Sequence, residues 1–203
     1  MGERGIDPRV AAPADVGTIV ATLTAAFEAD PVWSWAFPDS GRRAAQYATW
    51  FGLFVESALP HGWVWTLDRC GAVSVWTPPG HAELSEEAET RVEPFLVAEL
   101  GDHAGPVLRV MEQFEAACPA DRDFYYLSWL GTHPDHRGRG LGMELLAANL
   151  ARIDAEGAPA YLESTNPANN ARYERLGFAP RSEFSIPGDG HPVTTMWREP
   201  SRG

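Results

Sequence analysis

The sequence predicts a mixed α/β domain of the α+β kind, one central and mostly antiparallel sheet of about seven strands flanked by helices. Three observations predict it. Short runs rich in branched and aromatic residues recur along the 203 residues, with apolar residues at helical spacing between them. Hairpin-spaced strands and helix-separated strands are mixed, which gives a partly antiparallel sheet covered on both faces. Finally, 44% apolar residues and eight tryptophans are ample for one core, and the length fits a single domain over residues 1–203.

The chain opens on a short strand near Arg9 to Ala11. Asp15 stands at an N-cap position, and Val16, Ile19, Val20, Leu23 and Phe27 follow at helical spacing. Pro31 to Pro38 is a turn or short helix carrying Trp33, Trp35 and Phe37. A helix from about Ser40 to Leu59 presents Tyr47, Phe51, Phe54 and Val55 on its apolar face. Gly62 to Leu67 and Cys70 to Trp76 form a hairpin with Asp68 and Arg69 as its turn, and Pro78, Pro79 and Gly80 stop the second strand.

Glu83 to Cys118 is helical, interrupted at Pro94 and around Gly101 to Pro106, with its glutamates on the solvated side. Asp123 to Thr132 is the next strand. A glycine-rich loop leads to a helix from about Gly140 to Ala155, which buries Leu141, Leu145, Ala148 and Ile153 and ends at Gly157. Ala160 to Ser164 is a strand and Pro167 to Leu176 a short helix closed by Gly177. Phe178 to Ile186 and Val193 to Arg198 are the last two strands.

The formal charge is −12 and all sixteen basic residues are arginine. An acidic chain without a basic stripe is a poor partner for nucleic acid or anionic lipid, so an anionic ligand must be met by a local arrangement. Cys70 and Cys118 have no partner at metal spacing and read as buried thiols in a reducing compartment. No metal site is expected. The first residues, with Glu3, Arg4 and Asp7, lack the apolar run of a signal peptide, and no segment approaches membrane-spanning length. A cytoplasmic location is expected.

The central feature is the run from His133 to Gly142, between a strand and a helix. Backbone N–H groups at a helix start have no intrahelical partner, and with the positive end of the helix dipole they form a site for a phosphate or pyrophosphate. Gly138, Gly140 and Gly142 let the backbone approach the anion, and Arg137 and Arg139 add charge. An NTPase-type loop needs Gly-Lys followed by Ser or Thr, and the chain has no lysine. A dinucleotide fingerprint counted from Gly138 would place its third glycine at Met143.

Arg137-x-x-Gly140-x-Gly142 after a strand resembles the acyl-CoA loop of the GNAT superfamily of N-acetyltransferases. Asn166 followed by Tyr173-Glu174-Arg175-Leu176-Gly177-Phe178 resembles the superfamily's second motif at its usual spacing. The resemblance is close from about Phe124 to Phe178, with an acyl-CoA-binding core over about 123–178. It comes nearest to the puromycin N-acetyltransferase-like subfamily through Ala72 to Thr77 with Pro79, and Tyr161 to Ser164. Two positions depart from the pattern. Asn169 stands where a small residue is usual, and Arg172 where an apolar one is.

The resemblance implies a sheet splayed at its fourth and fifth strands, with acetyl-CoA as cosubstrate in the gap. Pantetheine would pair with backbone at Leu130, Gly131 and Thr132, and the pyrophosphate would sit on Arg137, Gly138, Arg139, Gly140, Leu141 and Gly142. Asn166, Asn169 and Tyr173 would complete the cofactor side. It further implies direct acetyl transfer to an amine, an oxyanion held by an N–H near Leu130, and Tyr173 as the acid that protonates the departing thiolate. For the base, Glu28, Asp30, Glu163 and His191 are candidates, and Glu163 is put first because its strand borders the reaction centre. A small-molecule amine is the expected acceptor, with a protein or peptide amine and a catalytically silent acyl-CoA-binding module as alternatives. Neither a nucleic-acid nor a membrane partner is expected, and a homodimer is allowed. The aromatic residues Trp33, Trp35, Phe37, Trp63, Trp65 and Trp76 are candidates for an acceptor pocket or plain core. Strand alternation puts Trp63 and Trp65 on one face.

Overall fold

The computed structural model describes residues 7–188 and 190–201; the charged stretch with Glu3 and Arg4 lies outside them. Its strands are β1 (Arg9–Val10), β2 (Val64–Leu67), β3 (Ala72–Thr77), β4 (Tyr125–Thr132), β5 (Ala160–Ser164), β6 (Ala179–Ser185) and β7 (Pro192–Arg198). Its α-helices are α1 (Val16–Phe27), α2 (Pro31–Ala36), α3 (Arg43–Ala58), α4 (Glu86–Leu100), α5 (Ala104–Ala117), α6 (Leu141–Ala155) and α7 (Asn170–Glu174). The strands form one sheet in the order β1-β2-β3-β4-β5-β7-β6. All neighbours are antiparallel except β4 and β5. This is the expected mixed sheet.

Helices cover both faces. On one, residues of α1, α3, α4 and α5 pack with Val73, Val75 and Trp129 into the larger apolar cluster. On the other, α6 buries Leu141, Leu145, Leu146, Leu150 and Ile153 against Trp76, Leu127 and Leu162. Asn149 fixes the height of α6 on the sheet. Its side-chain oxygen, fully buried, accepts from the Ser74 hydroxyl at 2.7 Å and the Trp76 indole N–H at 3.1 Å. The far end of α6 is held by Asp154, which takes both guanidinium nitrogens of the buried Arg198 at 2.6 and 2.7 Å.

Several local expectations change. Asp15 does not cap α1; its carboxylate accepts from the Ala12 N–H at 2.8 Å and pairs with Arg9 at 2.7 Å. The working cap is Asp30, which accepts from the N–H groups of Val32 and Trp33 and turns Pro31–Ala36 into a true helix. Pro94 does not interrupt α4, because it lies on the exposed side, where water can satisfy the carbonyl left without a donor. The break falls at the second expected interruption, at Gly101, in the left-handed half of backbone space. The hairpin turn is longer than two residues: Leu67 pairs with Ala72, and Asp68, Arg69 and Cys70 all take positive φ, at 50°, 54° and 68°. Cys70 is buried, whereas Cys118 is half-buried, and both are free thiols.

The register of β3 and β4 contains one irregularity that governs the site. Val75 pairs with Trp129 but Trp76 pairs with Leu127, so Ser128 is an extra residue in β4. A bulge of this kind reverses the alternation beyond it. Tyr125 and Leu127 therefore face α6, while Trp129 joins the opposite cluster. Gly131 follows onto that same face, where a Cβ would stand 3.0 Å from Leu23 and 3.1 Å from Ala26 of α1.

Candidate active site

β4 and β5 pair only at Tyr125↔Ala160 and Tyr126↔Tyr161. From Leu127 to Thr132 the edge of β4 that faces β5 is unpaired, roughly 20 Å of open ladder at about 3.3 Å per residue. A cleft of about 1860 Å³ follows this split. It takes in Leu130, Gly131 and Thr132 from β4, Leu162 and Glu163 from β5, and the loop that leads into α6.

That loop has the form the anion reading needs. Gly138 and Gly140 take positive φ, at 77° and 78°, with no heavy atom within 4 Å of where a Cβ would stand. Gly140 is the N-cap of α6 and supplies no side chain, so the first-turn amides are not capped from within. Gly142 is needed for a different reason: a Cβ there would meet the Thr132 hydroxyl at 2.7 Å. The open glycines and uncapped amides fit a pyrophosphate, and a bulky side chain in that space would fill the cradle.

The two arginines divide. Arg137 lines the cleft and donates to the Ala26 carbonyl at 3.0 Å. Arg139 does not line it; Asp68 holds its guanidinium at 2.9 Å, and His136 sits in the same network, 3.2 Å from that carboxylate. The hairpin turn, with its run of left-handed residues, thus places an acidic partner that holds Arg139 away from the cleft.

At the other margin of the cleft, Asn166, Asn169 and Tyr173 lie together beyond β5. Asn166 also caps its turn, accepting from the Ala168 N–H at 3.1 Å, and Asn169 accepts from Arg172 at 3.0 Å. Tyr173 is half-buried with its ring near Phe178. Burial, reinforced by the charge of Asp30, pushes its hydroxyl up to about 12. Asp30 in turn accepts from the Thr165 hydroxyl at 2.7 Å, and burial raises its carboxyl despite that bond and the nearby His191. Both Asp30 and Glu163 border the cleft, whereas Glu28 is placed outside it beside Arg43.

Glu163 points to the face where the bulge sends Trp129. Burial pushes its carboxyl up to about 8, opposed by the hydroxyls of Tyr126 and Tyr161 and reinforced by the charge of Glu83. Glu83 itself is half-buried and pushed up to about 7, chiefly by burial, with the Ser128 hydroxyl as its partner. Nothing in the sequence singled out Glu83, Tyr126 or Trp129. Of the six aromatic candidates, only Trp33 lines the cleft, beside Trp50, Phe54 and Trp129. Trp63 and Trp65 do share one environment, in the core under α6.

Residues 91–180 match the family model of the acetyltransferase (GNAT) domain. An acetyltransferase of Sodalis glossinidius is 30% identical over 117 residues, covering 55% of this chain and 74% of the relative. The chain belongs to the GNAT acetyltransferases. Solved acetyltransferases share the fold across its whole length. Histone acetyltransferase HPA2 and related acetyltransferase from Corynebacterium glutamicum superposes with a TM-score of 0.71 at 24% identity, covering 98% of both chains. Arylalkylamine N-acetyltransferase 2 from Aedes aegypti gives 0.67 at 12% identity, covering 97% of this chain and all of the other (100%). At those identities the likeness speaks for the fold alone. Among the described residues of this acetyltransferase, no helix is long and apolar enough to cross a membrane.

Proposed function

We propose that this GNAT enzyme transfers the acetyl group of acetyl-CoA to a primary amine of a small molecule, directly, in a ternary complex. The observation that carries the reading is the continuity of one cleft from the uncapped amides of α6, along the open edge of β4, to Glu163 and the aromatic wall. In this reading the pyrophosphate lies on Gly138 to Gly142 with Arg137 beside it. Pantetheine amides pair with Leu130 to Thr132, with Asn166 and Asn169 on the far side.

The proton ledger assigns the remaining roles. Ionised Glu163 takes one proton from the incoming ammonium, and the neutral nitrogen attacks the thioester carbonyl, whose oxygen is held by the Leu130 N–H. A C–N bond forms, the C–S bond breaks, and Tyr173 protonates the departing thiolate. The nitrogen's second proton returns the phenolate to phenol. The net products are amide, free thiol and one proton.

The puromycin N-acetyltransferase-like features at Ala72 to Thr77 and Pro79 support a small acceptor, as does the activity on arylalkylamines that the Aedes aegypti neighbour's name states. Two free thiols suit a reducing compartment, and we place the enzyme in the cytoplasm on that ground. The test is thiol release from acetyl-CoA with a panel of small amines, amino acids and a peptide. The expected result is turnover with one or more small amines; binding of acetyl-CoA without turnover on any of them would leave only a silent binding module.

A further inference from the structure

The acceptor end of the cleft holds residues that lie outside the two sequence motifs. Glu83 comes from the segment between β3 and α4 and meets Ser128, the extra residue of the β4 bulge. The last β4–β5 pair is Tyr126↔Tyr161, so Ser128 and Glu163 stand two residues further along their diverging strands. The charge of Glu83 is felt by Glu163, Tyr126 and Cys118, and that of Glu115 also reaches Cys118. Arg122, the arginine of this margin, is held in a bidentate pair by Glu199 at 2.8 and 3.0 Å. Among the described residues neither Glu83 nor Glu163 is held in an ion pair, and the basic side chains nearest them are His81, two residues from Glu83 in the cleft wall, and Arg181, whose charge acts on Tyr161.

A second observation concerns the wall. Trp50 and Trp129 line the cleft and are almost wholly buried, at 0% and 4% exposure, yet their indole N–H groups have no hydrogen-bond partner among the described residues. An unpaired buried donor is costly, so what fixes these rings is contact with their neighbours. Trp33 packs on both, with centroid distances of 5.7 Å to Trp50 and 4.9 Å to Trp129.

We infer that Glu83 is a specificity residue: with Glu163 it receives the acceptor as an ammonium ion and rejects amines that also carry a carboxylate, while Trp33 and Trp129, backed by Trp50, meet an aromatic or apolar body. This inference rests on the acetyltransferase reading above and deepens it. Two carboxyls facing one cation are satisfied by it, whereas a carboxylate on the α-carbon brings a like charge up to the same pair. Aromatic faces favour a flat apolar body and attract its positive end.

The experiment compares phenethylamine with phenylalanine, which differ only in the carboxylate, by thiol release at fixed acetyl-CoA. Wild-type kcat/KM is expected to favour phenethylamine at least 100-fold. In Glu83→Gln the KM for phenethylamine should rise about tenfold and the preference should shrink by a similar factor. The Kd for acetyl-CoA, which does not reach Glu83, should stay the same, and this also shows that the variant is folded. Equal rates with the two amines, or an undiminished preference in Glu83→Gln, would overturn the inference. So would turnover confined to amines that bear a carboxylate, which leaves the acetyltransferase reading standing. No turnover with any amine in the wider panel removes both.

Discussion

Glu163 and Tyr173 both line the cleft, and burial acts on both so as to favour the protonated form. For the phenol this keeps the proton in place at any working pH, as the acid of the proposed mechanism requires. For the carboxyl, raised to about 8, it means that the ionised form, the base of the proposed mechanism, is lost as pH falls. The rate with a given amine should therefore climb with pH and level off above about 8, and Glu163→Gln should remove the climb along with most of the activity. A kcat/KM profile of both proteins checks this. Tyr173→Phe should lower kcat by about 10²-fold or more, the range of general-acid catalysis, and leave acetyl-CoA affinity unchanged in a calorimetric titration. A variant with full activity across the pH range would remove Tyr173 from the proton path.

Among the elements, the loop before α6 and the bulge in β4 set the geometry. Gly140→Val places a branched side chain at φ 78° and into the space before the helix amides. Acetyl-CoA binding should weaken about tenfold or more, equivalent to ~1.4 kcal/mol, with the circular-dichroism spectrum unchanged. Asp154→Ala should destabilise the fold by about 3 kcal/mol in urea titration, because it strands a buried Arg198 that also anchors the Leu176 carbonyl. These elements were not equally legible. Helical spacing marks α1, α3 and α6, and the loop declares itself through three glycines at a strand-to-helix junction. Glu83 gave no such signal, since one glutamate among several in an acidic stretch carries no pattern. Trp129 was hidden for a different reason. Strict alternation would put it with Tyr125 and Leu127, and only the extra residue at Ser128, a matter of pairing between distant segments, turns it to the other face. Pro94 and Asp15 show the same limit, because exposure and a competing hydrogen bond decide what each one does.

For the molecule as a whole, the site works against stability. Glu83 and Glu163 have folded values of about 7 and 8 against an ordinary 4.5, so between pH 4.5 and about 8 these two groups hold more protons in the folded chain than in the unfolded one. Stability contributed by these groups is full below pH 4.5 and declines as pH rises through that window. The ligand-free melting temperature should consequently rise on going from pH 8 to pH 6, and Glu163→Gln should raise it at pH 8 while impairing turnover. Differential scanning fluorimetry in matched ionic strength decides both. The parted strands have a consequence of their own. The gap between β4 and β5 is a sheet edge left open inside the fold, a row of donors and acceptors that any extended chain can adopt as a neighbour. With pantetheine paired there, as proposed, that edge is occupied; without it, the same edge is the place where clumping would begin, and purified stocks should keep longest when stored with coenzyme A.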